Sequence, residues 1–124
     1  MRSKGFTLIE LLVVMAIVSA LLTIVTPRYM RQADRAKEAA LRENLEAMRI
    51  ALDQFYGDRG GYPERLADLV TLRYLRAVPL DPVTERRDSW ILQLRDEEGG
   101  RKVIHDIHSG APGSATDGTP FKSW

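Results

Sequence analysis

Cysteine is absent from this chain. A disulfide framework and thiolate metal ligation are both excluded, and the redox compartment is left open. Histidine occurs only at His105 and His108. On a strand a spacing of three puts them on opposite faces, so they do not jointly hold one metal without a bulge. There is almost no net charge: 18 Lys+Arg stand against 17 Asp+Glu. Nothing in that balance marks a general nucleic-acid binder. Walker and Rossmann glycine patterns are missing. Asp106, His108 and Ser109 carry the letters of a catalytic triad, but near neighbours on one strand do not build its geometry. Asp96, Glu97 and Glu98 read as a solvated turn. There is no internal repeat and no low-complexity tract. These absences remove the usual enzymatic readings and leave one domain with a modest core in 124 residues.

Charge is also missing locally. Between Lys4 and Arg28 the one formal charge is Glu10, while the sequence is densely charged from Arg28 onward. From Phe6 to Val25 the residues are apolar apart from Thr7, Glu10, Ser19 and Thr23. As a helix this run is about 30 Å long, the thickness of a bilayer hydrocarbon core. Arg2 and Lys4 precede it, and the positive-inside rule keeps that short end in the cytoplasm. A secretory signal peptide shares the basic start, but the run exceeds an ordinary h-region and no small-x-small cleavage site follows. A membrane-spanning helix is expected. Glu10 within it costs at least about 2.5 kcal/mol by insertion scales unless something compensates.

Helical periodicity continues beyond Pro27. Leu41, Leu45, Met48, Leu52 and Phe55 recur at alternating spacings of four and three, one face of a helix. Ala33, Ala36 and Ala40 extend that side with small residues. Arg35, Glu38, Arg42, Glu46, Arg49 and Asp53 occupy the other side, which reads as a solvated face. Phe6 to about Tyr56 is therefore expected as one helix of roughly 75 Å, its first half membrane-like and its second amphipathic. A kink or local melting is expected at Pro27, which lacks a backbone donor. "GDRGGYP" ends the helix. Pro63 to about Val70 reads as a short second helix with Pro63 in its first turn. "VPLDPVT" reads as loop. Ser89–Leu94 and Lys102–His108 read as two strands joined by "DEEGG" in a hairpin. In the second strand, Val103 and Ile107 share a face with His105, and Ile104, Asp106 and His108 share the other. Ser109–Trp124 reads as an ordered loop closed by Phe121 and Trp124. The fold class is α+β: a long N-terminal helix packed on a small antiparallel sheet.

"KGFTLIELLVVMAIVSALLTIVTP" (Lys4 to Pro27) resembles the N-terminus of the type IV pilin and pseudopilin superfamily. The match comprises a basic leader ending in glycine, then Phe, Thr, a glutamate, an apolar span and a late proline. "GGYP", "VPLDPVT", "DIHSGAPG" and "DGTPFKSW" narrow this to the major, G-type pseudopilins of type II secretion systems. The resemblance implies a type IV pilin-like fold and three segments. Residues 1–5 would be a leader, 6–27 a hydrophobic membrane and assembly helix, and 28–124 a periplasmic globular domain. A prepilin peptidase would cut between Gly5 and Phe6 and N-methylate Phe6. The subunit would sit in the bacterial inner membrane with its N-terminus cytoplasmic. It would then polymerise with copies of itself into a pseudopilus that drives export of folded proteins, with an inner-membrane secretion platform and minor pseudopilins as further partners.

On that reading Glu10 pairs with the new Phe6 amine of a neighbouring subunit, with Thr7 adding a hydrogen bond, and Phe6, Thr7, Glu10 and Pro27 serve assembly. The competing local reading has Glu10 bonded within its own helix terminus, where a first-turn carboxylate also favours the dipole. The family further implies calcium in the loop Ser109–Trp124. That loop offers Asp117 as its sole carboxylate, whereas calcium takes six to eight oxygens. Closure without metal, by Pro112, Pro120, Phe121 and Trp124, is the alternative. The competing function is a minor or competence-type pilin that binds DNA or surfaces. Arg86, Arg87, Arg101 and Lys102 could form its basic patch, but Glu85, Asp88 and Asp96 to Glu98 interleave with them.

Overall fold

A run of helix formers opens with the Thr7–Glu10 pattern and carries no breaker until Pro27, so one long helix is the natural outcome. The computed structural model describes residues 5–124, and α1 spans Leu8–Arg59. The basic leader residues Arg2 and Lys4 lie outside the described residues. The helix passes through Pro27 without interruption, so the local melting expected there does not occur in this state. At the other end it continues past Gly57 to Arg59. It stops where Gly60 adopts a left-handed φ of 74° and donates its N–H to the carbonyl of Tyr56 at 2.8 Å, a C-terminal cap that favours glycine.

The chain divides into two units, Met1–Asp34 and Arg35–Trp124. In the first, no face of α1 is covered: the large apolar side chains from Leu8 to Val25 are between 45 % and 75 % exposed. This is one helix long and apolar enough to cross a membrane.

In the second unit, the face read from the sequence is the core. Leu41, Leu45, Met48, Leu52 and Phe55 are buried, joined by Ala51. Ala40 is half-buried, while Ala33 and Ala36 are exposed, so the small-residue extension of that face stays uncovered. α2 spans Leu66–Thr71, shorter than expected. Pro63 precedes it instead of opening it. Buried there, its carbonyl accepts the N–H of Ile104 at 2.8 Å. Leu69 enters the core and Leu66 packs against it.

β1 spans Ile91–Asp96 and β2 spans Lys102–His108, paired antiparallel as a two-stranded sheet. β1 begins two residues later than read, because Trp90 turns inward and donates its indole N–H to the Pro79 carbonyl at 2.9 Å. Gln93 faces Asp106 and Leu94 faces Ile104, leaving His105 as the extra residue of a β-bulge. The bulge resets the alternation. Ile104 and Ile107 therefore both reach the core, which corrects the faces assigned from strict period two. It also leaves Leu94 exposed.

The proline-bracketed stretch contains an isolated bridge between Asp81 and Arg86. It is organised by Asp81, which is buried. Its Oδ1 accepts from the backbone of Val83 at 2.8 Å and Thr84 at 3.3 Å, and its Oδ2 accepts from the Ser109 hydroxyl at 3.0 Å. Gly110 follows, where a Cβ would fall 1.9 Å from the Ser89 carbonyl oxygen. The final loop is ordered by a bridge between Ser114 and Pro120 and a single 3₁₀ turn over Phe121–Ser123. Phe121 is buried and meets Trp124 edge-on at 5.3 Å.

Candidate assembly site and C-terminal loop

The start of α1 has four backbone N–H groups with no helical partner. Thr7 and Glu10 satisfy two of them reciprocally. The Thr7 N–H donates to Glu10 Oε2 at 3.0 Å, and the Glu10 N–H donates to the Thr7 hydroxyl at 3.1 Å. This is a capping box, legible in advance as Thr-x-x-Glu before an apolar run. The local alternative for Glu10 is thus the arrangement of the single chain, and it holds the carboxylate at the helix end. Gly5 and Phe6 precede the box and are exposed. The structure therefore gathers Gly5, Phe6, Thr7 and Glu10 at one helix end, whereas Pro27 lies about 25 Å along the helix from Glu10.

The polar side chains farther along this unit bond inward. Ser19 donates to the Met15 carbonyl at 2.8 Å, Thr23 to that of Ser19 at 2.9 Å, and Thr26 to that of Leu22 at 2.6 Å. Hydroxyls bonded to the preceding turn ask nothing of their surroundings. What remains exposed is an apolar surface around the whole circumference, which must be covered by lipid or other helices.

The charged face of the second half of α1 is not simply solvated, and here the sequence reading is corrected. Glu38 accepts the Thr116 backbone N–H at 2.6 Å and its hydroxyl at 2.9 Å. Arg42 lies 3.6 Å from Asp117 and stacks its guanidinium 4.2 Å from the Trp124 ring centroid. Arg49 donates to Asp106 at 3.1 Å and to the Ile107 carbonyl at 2.8 Å. Three charges spaced along one helix flank thus fasten the final loop and β2. Their spacing alone could not show this, because the partners are up to 78 residues away. Arg42, Leu45, Glu46, Arg49 and Trp124 line an open depression of about 350 Å³ along this seam.

Asp117 is committed within the loop. Its Oδ1 accepts the Thr119 N–H at 2.9 Å and hydroxyl at 2.6 Å. Those Thr119 bonds first, and the Arg42 charge after them, hold its carboxyl below the ordinary carboxylate range. Trp124 donates its indole N–H to Thr119 at 2.9 Å. Among the described residues no group of three or more acidic or histidine side chains converges on a point. His105 and His108 bond separately, through Nδ1, to the carbonyls of Gln93 at 2.9 Å and Trp124 at 2.6 Å.

Three of the four cations weighed as a DNA patch, Arg86, Arg87 and Arg101, are occupied locally. Arg86 forms two 2.8 Å bonds to Asp88, and that bonding depresses the Asp88 carboxyl. Arg101 lies near Glu64 and Glu97, and Arg87 donates to the Val78 carbonyl at 2.6 Å. A mixed surface results.

Residues 1–26 match the family model of the prokaryotic N-terminal methylation motif. The chain is 31% identical over 97 residues to the type II secretion system core protein G of Pseudomonas aeruginosa, covering 65% of this chain and 68% of that protein. It is 30% identical over 97 residues to the core protein G of Klebsiella michiganensis, covering 78% and 68%. To the type IV major pilin protein PilA of Myxococcus xanthus it is 35% identical over 63 residues, covering 51% of this chain and 29% of that pilin. No solved structure matches. The pilin likeness covers about half of this chain and under a third of that pilin, whereas the core protein G likeness covers two thirds or more of those relatives, and the chain belongs to the family of type II secretion system core proteins G, the G-type pseudopilins.

Proposed function

We propose that this protein is a structural, non-catalytic subunit of a type II secretion pseudopilus. The observation that carries this reading is the first part of α1, Leu8 to Val25: a helical stretch exposed and apolar on every side, with its one carboxylate, Glu10, fixed at the first turn and a folded unit following farther along the chain. Such a helix suits two apolar hosts in succession, the inner membrane before assembly and a bundle of identical helices afterwards. Its N-terminus would be cytoplasmic and the unit from Arg35 to Trp124 periplasmic.

Cleavage between Gly5 and Phe6 creates an α-amino group one residue ahead of the capping box. Because Thr7 takes Glu10 Oε2, Oε1 can accept an amine from a neighbouring copy while the box stays intact. Pairing relieves two charges in a low-dielectric bundle, and insertion at the wrong height leaves both uncompensated, so the pair sets register. The subunit's processing enzyme is then a prepilin peptidase that also methylates Phe6, and its partners are an inner-membrane platform and minor pseudopilins.

The test is expression of the full chain with a prepilin peptidase and the secretion platform. Intact mass should show a product beginning at methylated Phe6, and electron microscopy of sheared cells should show filaments. An unprocessed product, or a processed one that stays solitary, overturns the reading.

A further inference from the structure

The family implies calcium in the C-terminal loop, and the donors of this chain do not fit it. Calcium takes six to eight oxygens, carboxylates prominent among them. Asp117, the sole carboxylate between Ser109 and Trp124, has Oδ1 saturated by the two Thr119 donors and Oδ2 turned to Arg42. Glu38 reaches the loop from α1, yet both its oxygens are taken by Thr116. A dication at Asp117 would have to displace these bonds and stand beside a guanidinium that is always charged. Arg42 is itself held in place, because its plane lies on the Trp124 indole, and that indole is tied through Thr119 back to Asp117. Arg42, Trp124, Thr119 and Asp117 thus close a ring, and Glu38 with Thr116 adds a second tie beside it.

We propose that Arg42 serves as a built-in cation in place of a divalent metal, so that the final loop closes, and the subunit folds, without calcium. The proposal rests on the family reading for the metal expectation alone; its readout is thermal stability, which is independent of filament formation.

The test uses the full chain in detergent micelles, melted in EGTA and in millimolar calcium chloride, with calcium titrated against tryptophan fluorescence. Coincident melts and a flat titration are expected. A site filled at about a hundredfold excess over its Kd would raise Tm by roughly 10–20 °C, and such a rise overturns the proposal. In the second arm, Arg42→Gln should lower Tm by roughly 5 °C and speed proteolysis after Lys122, equally in EGTA and calcium. An Arg42→Gln protein that melts with the wild type overturns the role given to Arg42; should that variant not fold, the wild-type calcium titration decides alone. Calcium-insensitive melting without filaments would sink the pseudopilus reading and support this one, and calcium-raised melting with filaments would do the reverse.

Discussion

Thr7 and Glu10 cap each other at the start of α1, at 3.0 and 3.1 Å. On the proposed assembly reading this carboxylate would also pair with a neighbouring subunit, and the two roles separate by substitution. Glu10→Gln preserves a capping box, since glutamine serves equally at that position, but removes the charge. It should be processed normally and form no filaments. Thr7→Ala removes the cap, costing about 1 kcal/mol at the helix end, and keeps the charge, so filaments should form in reduced number. Intact mass and electron microscopy check both. Filaments from Glu10→Gln would confine Glu10 to capping.

Asp81 has no role in assembly on this reading, yet its loss should be the more damaging to folding. Asp81→Ala leaves the buried Ser109 hydroxyl and the N–H groups of Val83 and Thr84 without their acceptor. A cost of about 2–3 kcal/mol is expected, or a Tm drop of roughly 10 °C or more for a unit of this size. Thermal denaturation by circular dichroism measures it.

At Gly110 the prediction concerns space. A methyl group there meets the Ser89 carbonyl oxygen at 1.9 Å, which is backbone and can yield only by moving the segment that leads into β1. Gly110→Ala should destabilise by about 1–3 kcal/mol, whereas Gly61→Ala, with nothing nearby, should be close to neutral. Paired chemical-denaturation curves would show the contrast.

The loop latch should also respond to acid. The folded Asp117 carboxyl sits below its ordinary range, so its contribution is complete above the unfolded value and is lost as pH falls through the folded one. Wild type and Asp117→Asn should therefore differ in Tm at neutral pH and converge in strong acid. A constant difference across the acid range would contradict the assignment.

Much of this was readable in advance because it depends on local pattern. The core face Leu41 to Phe55 follows from helical period, and the apolar circumference of Leu8 to Val25 from composition. The hairpin turn lies where its glycines are, with Gly99 and Gly100 both at positive φ. Other features had no local signal. His105 became a bulge because Ile104 and Ile107 both gain from burial, a tertiary preference that overrides strict alternation. Glu38, Arg42 and Arg49 looked like a solvated face because their partners lie in the last quarter of the chain. Pro63 moved out of α2 because its carbonyl serves the open edge of β2. The capping box is the exception: its pattern was legible.

The inward bonds of Ser19, Thr23 and Thr26 bear on how such a helix could be withdrawn from a bilayer. Extraction of a polar group usually demands that it exchange partners midway, which raises a barrier. Here each of the three hydroxyls carries its acceptor with it, one turn back on the same strand of backbone. Passage from fatty acyl chains to neighbouring helices then becomes a swap of one greasy neighbour for another, free of any trade in hydrogen bonds along that stretch. The work of lifting each subunit would concentrate at its ends.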